Sequence, residues 1–434
     1  MARNGSHRKT GGTKPRRSGR VFRTLGLGMI TGASDDDPSA IGTYASAGAA
    51  LGTSFLWMAP ATFPMMFAVV YLSAKLGQVT GMGLFGVIRR HYPPWILHAT
   101  LIGVLIGNTI EAAADIGGMA AALNLLVPLP IWLIVVVVTL AVMAVQFFGS
   151  YELIRNIFRW LALTLVAYIV SALLARPDWS EALRGTLVPS LSFDSKTLSL
   201  LVAVIGTTLS AYLYTWQSNQ EVEEKRAEGL ETVQERKGTT KKHLENTRLD
   251  VLAGMFFSNV IMYFIILATA STLFKMGHHD VTSAADAAEA LRPLAGRAAG
   301  ALFALGVVGV GFLAVPVMTT GGAYDLCQAV GWKHSLHASP REAKKFYAVI
   351  AGISLVAMAM NFIGINPMRA LVVAGVVQGF STPPLMLLIM LATNSRKIMG
   401  QKRNKLWMNL LGWTTTAAVF AASLALIAMA ALGN

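Results

Sequence analysis

Eleven apolar runs divide this chain, at about 22–51, 55–80, 95–127, 129–149, 153–175, 197–219, 248–275, 298–329, 346–364, 369–394 and 407–432. Each is long enough to cross a hydrocarbon core of about 30 Å as a helix. In lipid every backbone polar group needs a partner inside the protein, so a spanning segment is a helix or part of a closed barrel. Runs of this length, without the ten-residue alternation of barrel strands, select helices. The expected fold class is an all-α polytopic membrane protein with 11 transmembrane helices. Only 13% of the residues are charged, about half the share in soluble domains. A single cysteine, Cys327, excludes an internal disulfide and a Cys-based metal cluster.

The net charge of +14 does not point to nucleic acid, because the Lys and Arg residues cluster between the apolar runs. Met1–Arg23 holds eight of them and no acid, so residues 1–21 read as a disordered basic cytoplasmic tail ahead of a 22–432 membrane domain. Arg89-Arg90, 220–247, Lys333–Lys345 and Arg396–Lys405 then fall on the same side, whereas the connections at 176–196 and 276–297 mix both signs. The positive-inside rule therefore expects a cytoplasmic N-terminus and an outside C-terminus, in a bacterial inner (plasma) membrane. The mixed charges of 220–247 read as a solvated face extending the sixth helix. His278-His279-Asp280 in an outer connection reads as a surface turn, with weak metal binding as its alternative.

Polar residues inside the apolar runs carry the functional signal. Asp35, Asp36 and Asp37 precede Pro38 in the first run. One charge at a helix centre costs about 2.5–3.5 kcal/mol even on insertion scales, so intramembrane acids mark functional sites. Pro38 has no N–H and disfavours helix in the residue before it. A helix broken here would expose free backbone groups beside a carboxylate, which is how discontinuous transporter helices hold cations. The plainer alternative is an Asp N-cap with Pro in the first turn. Capping requires one acid, not three.

In the third run Glu111 and Asp115 are four apart and share a helix face, which suggests a polar pathway. Glu111 in the headgroup region, or paired with a base such as Arg155, is the alternative. The sixth run passes through Gly206-Thr-Thr-Leu-Ser210 to Gln217, polar from mid-span onward. Gly206 is a candidate point of opening, against internal capping by the hydroxyls. Runs one and six are five apart, so two interrupted segments at matching places point to a 5+5 inverted repeat around a midplane site. Pro316, Pro383 and Pro384 read as kinks, and Gln378 either bonds between helices or offers an oxygen to an ion.

These residues resemble a known family. Asp37-Pro-Ser-Ala-Ile is similar to the Asp-Pro-Gly-Asn-Ile metal-binding motif of the Nramp divalent-metal transporters. The similarity continues through Leu76-Gly-Gln-Val-Thr-Gly81, Ala122-Leu-Asn-Leu-Leu126, and Arg369-Ala-Leu to Ile398-Met-Gly400. It implies a LeuT-type fold with discontinuous helices 1 and 6, inverted repeats over about 22–175 and 197–394, and an extra helix at 407–432. The departures bear on the substrate. Where the family has Met-Pro-His, this chain has Ser210-Ala211-Tyr212. The family's Asn falls at Ala40, its carbonyl ligand at Thr207, its two third-segment acids at Ala112 and Asp115, and a His at Gln217. The run from Gly206 to Gln217 resembles the Nramp-related magnesium transporters, with Ala211 in place of Pro.

A thioether favours soft and borderline metals. Mg²⁺ prefers oxygen and keeps several waters. The expectation is therefore a secondary transporter importing Mg²⁺ (and Mn²⁺) as partly hydrated ions by alternating access, without proton coupling. Asp37, the Thr207 carbonyl and the Ser210 hydroxyl would be ligands. Asp36, Ala40, Glu111, Asp115, Gln217 and Gln378 would line the pathway or support it. The partners expected are a divalent cation and the bilayer, with no cofactor and no enzymatic constellation; the sequence sets no oligomeric state. The alternatives are a proton-coupled Mn²⁺ or Fe²⁺ symporter with Glu111 as the second acid, a non-transporting receptor or scaffold, and an amino-acid transporter, which an acid at the site disfavours.

Overall fold

The computed structural model describes residues 26–148 and 165–432. The basic tail, the start of the first run and most of the fifth, Arg155 included, lie outside the described residues. The helices, in chain order, are α1 (Leu27–Asp35), α2 (Pro38–Leu51), α3 (Met58–Thr80), α4 (Leu84–His91), α5 (Pro94–Asn124) and α6 (Ile131–Phe148). They continue with α7 (Leu165–Leu174), then α8 (Trp179–Leu187), α9 (Ser195–Thr208), α10 (Ala211–Ala227), α11 (Val233–Arg236), α12 (Lys241–Thr269) and α13 (Ala284–Glu289). The last are α14 (Arg292–Ala295), α15 (Ala299–Val330), α16 (Lys344–Met360), α17 (Pro367–Asn394), α18 (Arg396–Met399) and α19 (Leu406–Leu432).

Among the described residues nine helices are long and apolar enough to cross a membrane. They correspond to every expected run except the first, which is the broken pair α1–α2, and the fifth, of which only α7 is described. Both expected interruptions exist. The first run breaks at Asp36–Asp37 and the sixth at Leu209–Ser210. Pro316 and the Pro383-Pro384 pair, in contrast, sit inside unbroken helices α15 and α17.

The broken helices occupy the middle. In the span formed by α9 and α10, 94% of the most apolar stretch is buried, against 28% in α6 and 22% in α19. Trp132, Val137 and Leu140 of α6 and Leu410 and Leu424 of α19 remain exposed, as lipid-facing residues do. Two close crossings hold the centre. A Cβ on Gly206 of α9 would lie 1.9 Å from the Gly375 carbonyl of α17, and one on Gly32 of α1 would lie 2.2 Å from the Gly254 carbonyl of α12. Small residues let helix backbones approach this far in lipid. Gly206 is therefore not the point where the sixth run opens; it lies within α9 and is required by the neighbouring helix.

The 220–247 connection is a solvated face over much of its length, with Glu224, Glu228, Glu231, Glu235, Lys237, Lys241, Lys242 and Glu245 exposed, but four of its charges are not. Glu221, Glu223, Lys225 and Arg236 are buried. The Lys225 ammonium donates to the carbonyls of Gln78, Arg236 and Gly238 at 2.6, 2.6 and 2.7 Å. Arg236 donates to Gly81, Leu230 and Glu231 carbonyls, and Glu223 accepts from Arg226 and Ser335. Charge counting misses these four because their partners are backbone carbonyls and uncharged side chains as well as charges, and these carry no sequence signature. The His278-His279-Asp280 turn is exposed, as the plainer reading has it. His279 packs edge-on against Phe274, and a hydrogen bond from Lys196 holds the Asp280 carboxyl below its usual range.

Candidate ion-binding site

The two breaks meet. α1 ends at Asp35, and Asp37 caps α2 by accepting the Ala40 N–H at 2.7 Å. Pro38 at the first helical position needs no such partner. The second Asp37 oxygen accepts the Tyr212 hydroxyl at 3.0 Å, and that hydroxyl also lies 2.7 Å from the Ser34 carbonyl. Tyr212 stands in the first turn of α10, two residues past the other break. Tyr44 of α2 and Thr208 of α9 share a second bond between the broken helices, at 2.9 Å.

At the sixth-run break, the Ser210 hydroxyl lies 2.9 Å from the Glu111 carboxylate, 3.0 Å from the Gly206 carbonyl and 2.9 Å from the Thr207 carbonyl. The last carbonyls of α9 have no helical N–H to accept, and the negative end of the helix dipole there favours a cation. Thr382 of α17 donates to Leu209 O at 3.1 Å, which steadies the break.

Helix α5 brings both of its acids inward. Asp115 accepts the backbone N–H and the hydroxyl of Ser39 through one oxygen, at 2.9 and 2.6 Å, and its other oxygen has no hydrogen-bond partner among the described residues. Glu111 accepts from Ser210 and from the Gln378 amide at 2.6 Å. Asp37, Glu111 and Asp115 lie within electrostatic reach of one another. All three are fully buried, and none forms an ion pair with a Lys, Arg or His among the described residues. A buried carboxylate without a counter-charge costs several kcal/mol. A cation beside three such acids and the converging helix ends would supply the missing counter-charge.

The remaining candidates sit elsewhere. Asp35 and Asp36 are also fully buried. Both carboxylates face Ser258 of α12, whose hydroxyl is 2.5 Å from Asp35 and 3.3 Å from Asp36. Gln378 is interhelical glue: its amide donates to Glu111, and its oxygen accepts from Ser381 at 2.8 Å. Gln217 is held between Thr31 and Glu221 at 2.5 and 3.0 Å, outside the group of three acids. Ala40 contributes its N–H to the Asp37 cap. Sequence reasoning passed over Tyr212, Ser39 and Ser258 as partners of the acids. Tyr212 and Ser39 were findable by their places one or two residues from the breaks. Ser258, 222 residues from Asp36, gives no local signal.

Comparison with known proteins completes the description. The family model described as "Nramp: Natural resistance-associated macrophage protein-like" matches residues 28–429. The chain is similar to the divalent metal cation transporter MntH of Klebsiella pneumoniae (strain 342), 25% identical over 393 residues, covering 88% of each chain. Among solved structures it is similar to the Eremococcus coleocola manganese transporter, at a TM-score of 0.69 and 17% identity, covering 96% of this chain and 89% of that one. It also superposes on Mhp1, a nucleobase-cation-symport-1 family transporter, at a TM-score of 0.57 and 11% identity, covering 94% and 92%. The likenesses agree with a LeuT-type helical fold whose first and sixth spans are discontinuous.

Proposed function

The chain belongs to the Nramp family, and from that premise we propose that it imports divalent metal cations, Mg²⁺ and with it Mn²⁺, as partly hydrated ions by alternating access. Transport of divalent cations rests on the family and on its similarity to MntH transporters. The ion preference rests on one observation: the break where the family has a Met thioether is lined by the Ser210 hydroxyl and the Glu111 carboxylate. Hard oxygen donors suit Mg²⁺, which dehydrates reluctantly and accepts waters in place of protein ligands. Asp37 anchors the ion. Thr207 supplies a carbonyl, and Ser210 and Glu111 bind directly or through water. Inward movement is driven by the membrane potential, with the N-terminus in the cytoplasm and the C-terminus outside.

A second reading gains support from the same bond. Glu111 stands in the site beside Asp115 although the acid expected one residue later is Ala112. That pair offers a proton carrier, as in a proton-coupled Mn²⁺ or Fe²⁺ symporter. Uptake into proteoliposomes separates the two. Mg²⁺ uptake, with Mg²⁺ competing against Mn²⁺ entry and no internal acidification, is the expected result. Mn²⁺ entry indifferent to excess Mg²⁺ would sink the magnesium assignment, and acidification that tracks metal entry would replace uncoupled transport by symport.

A further inference from the structure

At the end of the fold that carries the 220–247 connection, a cavity of about 920 Å³ opens between α1, α10 and α12. Glu221 and Glu224 are one turn apart on α10, and His243 is in the first turn of α12. One ligand atom from each comes within 4.8 Å of the other two. Glu221 is buried; Glu224 and His243 are exposed to the cavity mouth. The Glu221 carboxylate is fixed from behind, one oxygen accepting from Gln217 at 3.0 Å and the other from Gln78 at 2.7 Å. An ionised carboxylate has about four lone-pair directions, so these two bonds orient it and leave others for an ion. Asn246 and Asp250 follow His243 on the same face of α12, and both line the cavity. Among the described residues the wall carries the carboxylates of Glu221, Glu224 and Asp250 and the ammonium of Lys242. A wall rich in carboxylates suits a cation.

We propose that Glu221, Glu224 and His243 form a second metal site, separate from the Asp37 site, that takes a first-row transition ion such as Mn²⁺, Fe²⁺ or Zn²⁺ and discriminates against Mg²⁺. Imidazole with two carboxylates is a donor set for these ions, whereas Mg²⁺ prefers oxygen and water. A metal here ties α10 to α12. Asp250 of α12 in turn caps α1, accepting the Gly28 N–H at 2.7 Å, where α1 has no side-chain cap of its own. The site thus joins the three helices whose separation would open this end of the molecule. That consequence rests on the alternating-access reading: metal gathering on this side holds the end shut and slows further entry. The binding itself does not depend on that reading.

The test is titration of the purified full chain with Co²⁺, read by its visible d–d absorption, for wild type, Asp37→Asn, His243→Ala and Glu224→Gln. The expected result is a band that survives Asp37→Asn, with binding at least ~10-fold weaker in His243→Ala, since a direct ligand matters no less than the second-shell groups that cost 10–100-fold. Excess Mg²⁺ leaves the band in place. Glu224→Gln, at an exposed position, shows the same loss and carries the test if His243→Ala fails to fold. Wild-type isotherms in both variants, or a band abolished by Asp37→Asn alone, overturn the site. Loss of uptake in Asp37→Asn together with a retained band confirms that the two sites are distinct; retained uptake in Asp37→Asn counts against the transport reading and leaves the second site standing.

Discussion

Asp37 does two things with one side chain. One oxygen caps α2 and the other holds Tyr212 of α10, so the residue that would bind the ion also sets the angle between the broken helices. Substitution can separate the roles, because Asn caps a helix about as well as Asp. Asp37→Asn is expected to keep the thermal midpoint of the detergent-solubilised protein while uptake falls by roughly 150- to 5,000-fold, the scale of losing a buried charged partner at about 3–5 kcal/mol. Asp37→Ala should lower uptake and also lose about 1 kcal/mol of cap. Uptake at the wild-type rate in Asp37→Asn would show that the charge is not the anchor. The neighbouring Asp35 and Asp36 look equivalent in sequence, yet both turn to Ser258. Asp36 (ψ 45°) and Asp37 (ψ 173°) leave the helical backbone, and the turn between the two helices carries Asp37 away to Tyr212.

At the scale of elements, the breaks are held by what surrounds them. Helix α9 stops where the Ser210 hydroxyl faces its last carbonyls and Thr382 donates to the carbonyl of Leu209, its C-cap, and Gly206 lets it press on α17. The clash a Cβ would meet there is with backbone, which cannot swing aside. Gly206→Ala is therefore expected to cost about 1–3 kcal/mol as overpacking, measured as a lower unfolding midpoint. An unchanged midpoint would show that α9 and α17 can part freely. At the other end of the sixth run, Lys225 satisfies three carbonyls. Lys225→Met strands them, at about 1–3 kcal/mol for a buried group left unpaired. Hydrogen exchange in 228–240 should quicken ahead of the rest of the chain; exchange at the wild-type rate would mean that the latch is held by other contacts.

For the whole molecule, the acids at the centre are closed off from both sides, so ions enter or leave only when helices move. A divalent ion crossing inward gains about 4.6 kcal/mol from a potential of 100 mV, at 2.3 kcal/mol per charge. Uncoupled import predicts that an imposed inside-negative potential of that size speeds Mg²⁺ uptake, and that collapsing a pH gradient at constant potential changes nothing. Uptake that follows the pH gradient would transfer the driving force to protons. Lipid contact falls to α6, α16 and α19, the least buried of the apolar spans.

The sequence alone determined that this is a helical membrane protein interrupted at two matched places, because lipid demands internal hydrogen bonding and taxes every charge. Those are local rules, legible at Asp35–Asp37, Pro38 and Gly206–Ser210. Tertiary structure decided which acids stand together, with Glu111 joined to Ser210 and Asp35 and Asp36 sent to Ser258. It also decided that Glu221, Glu223, Lys225 and Arg236 of the 220–247 connection are buried, and that Glu221, Glu224 and His243 converge. The reason is physical: each of these rests on a partner from another helix, and the packing angle that brings it there is set by contacts along the whole crossing.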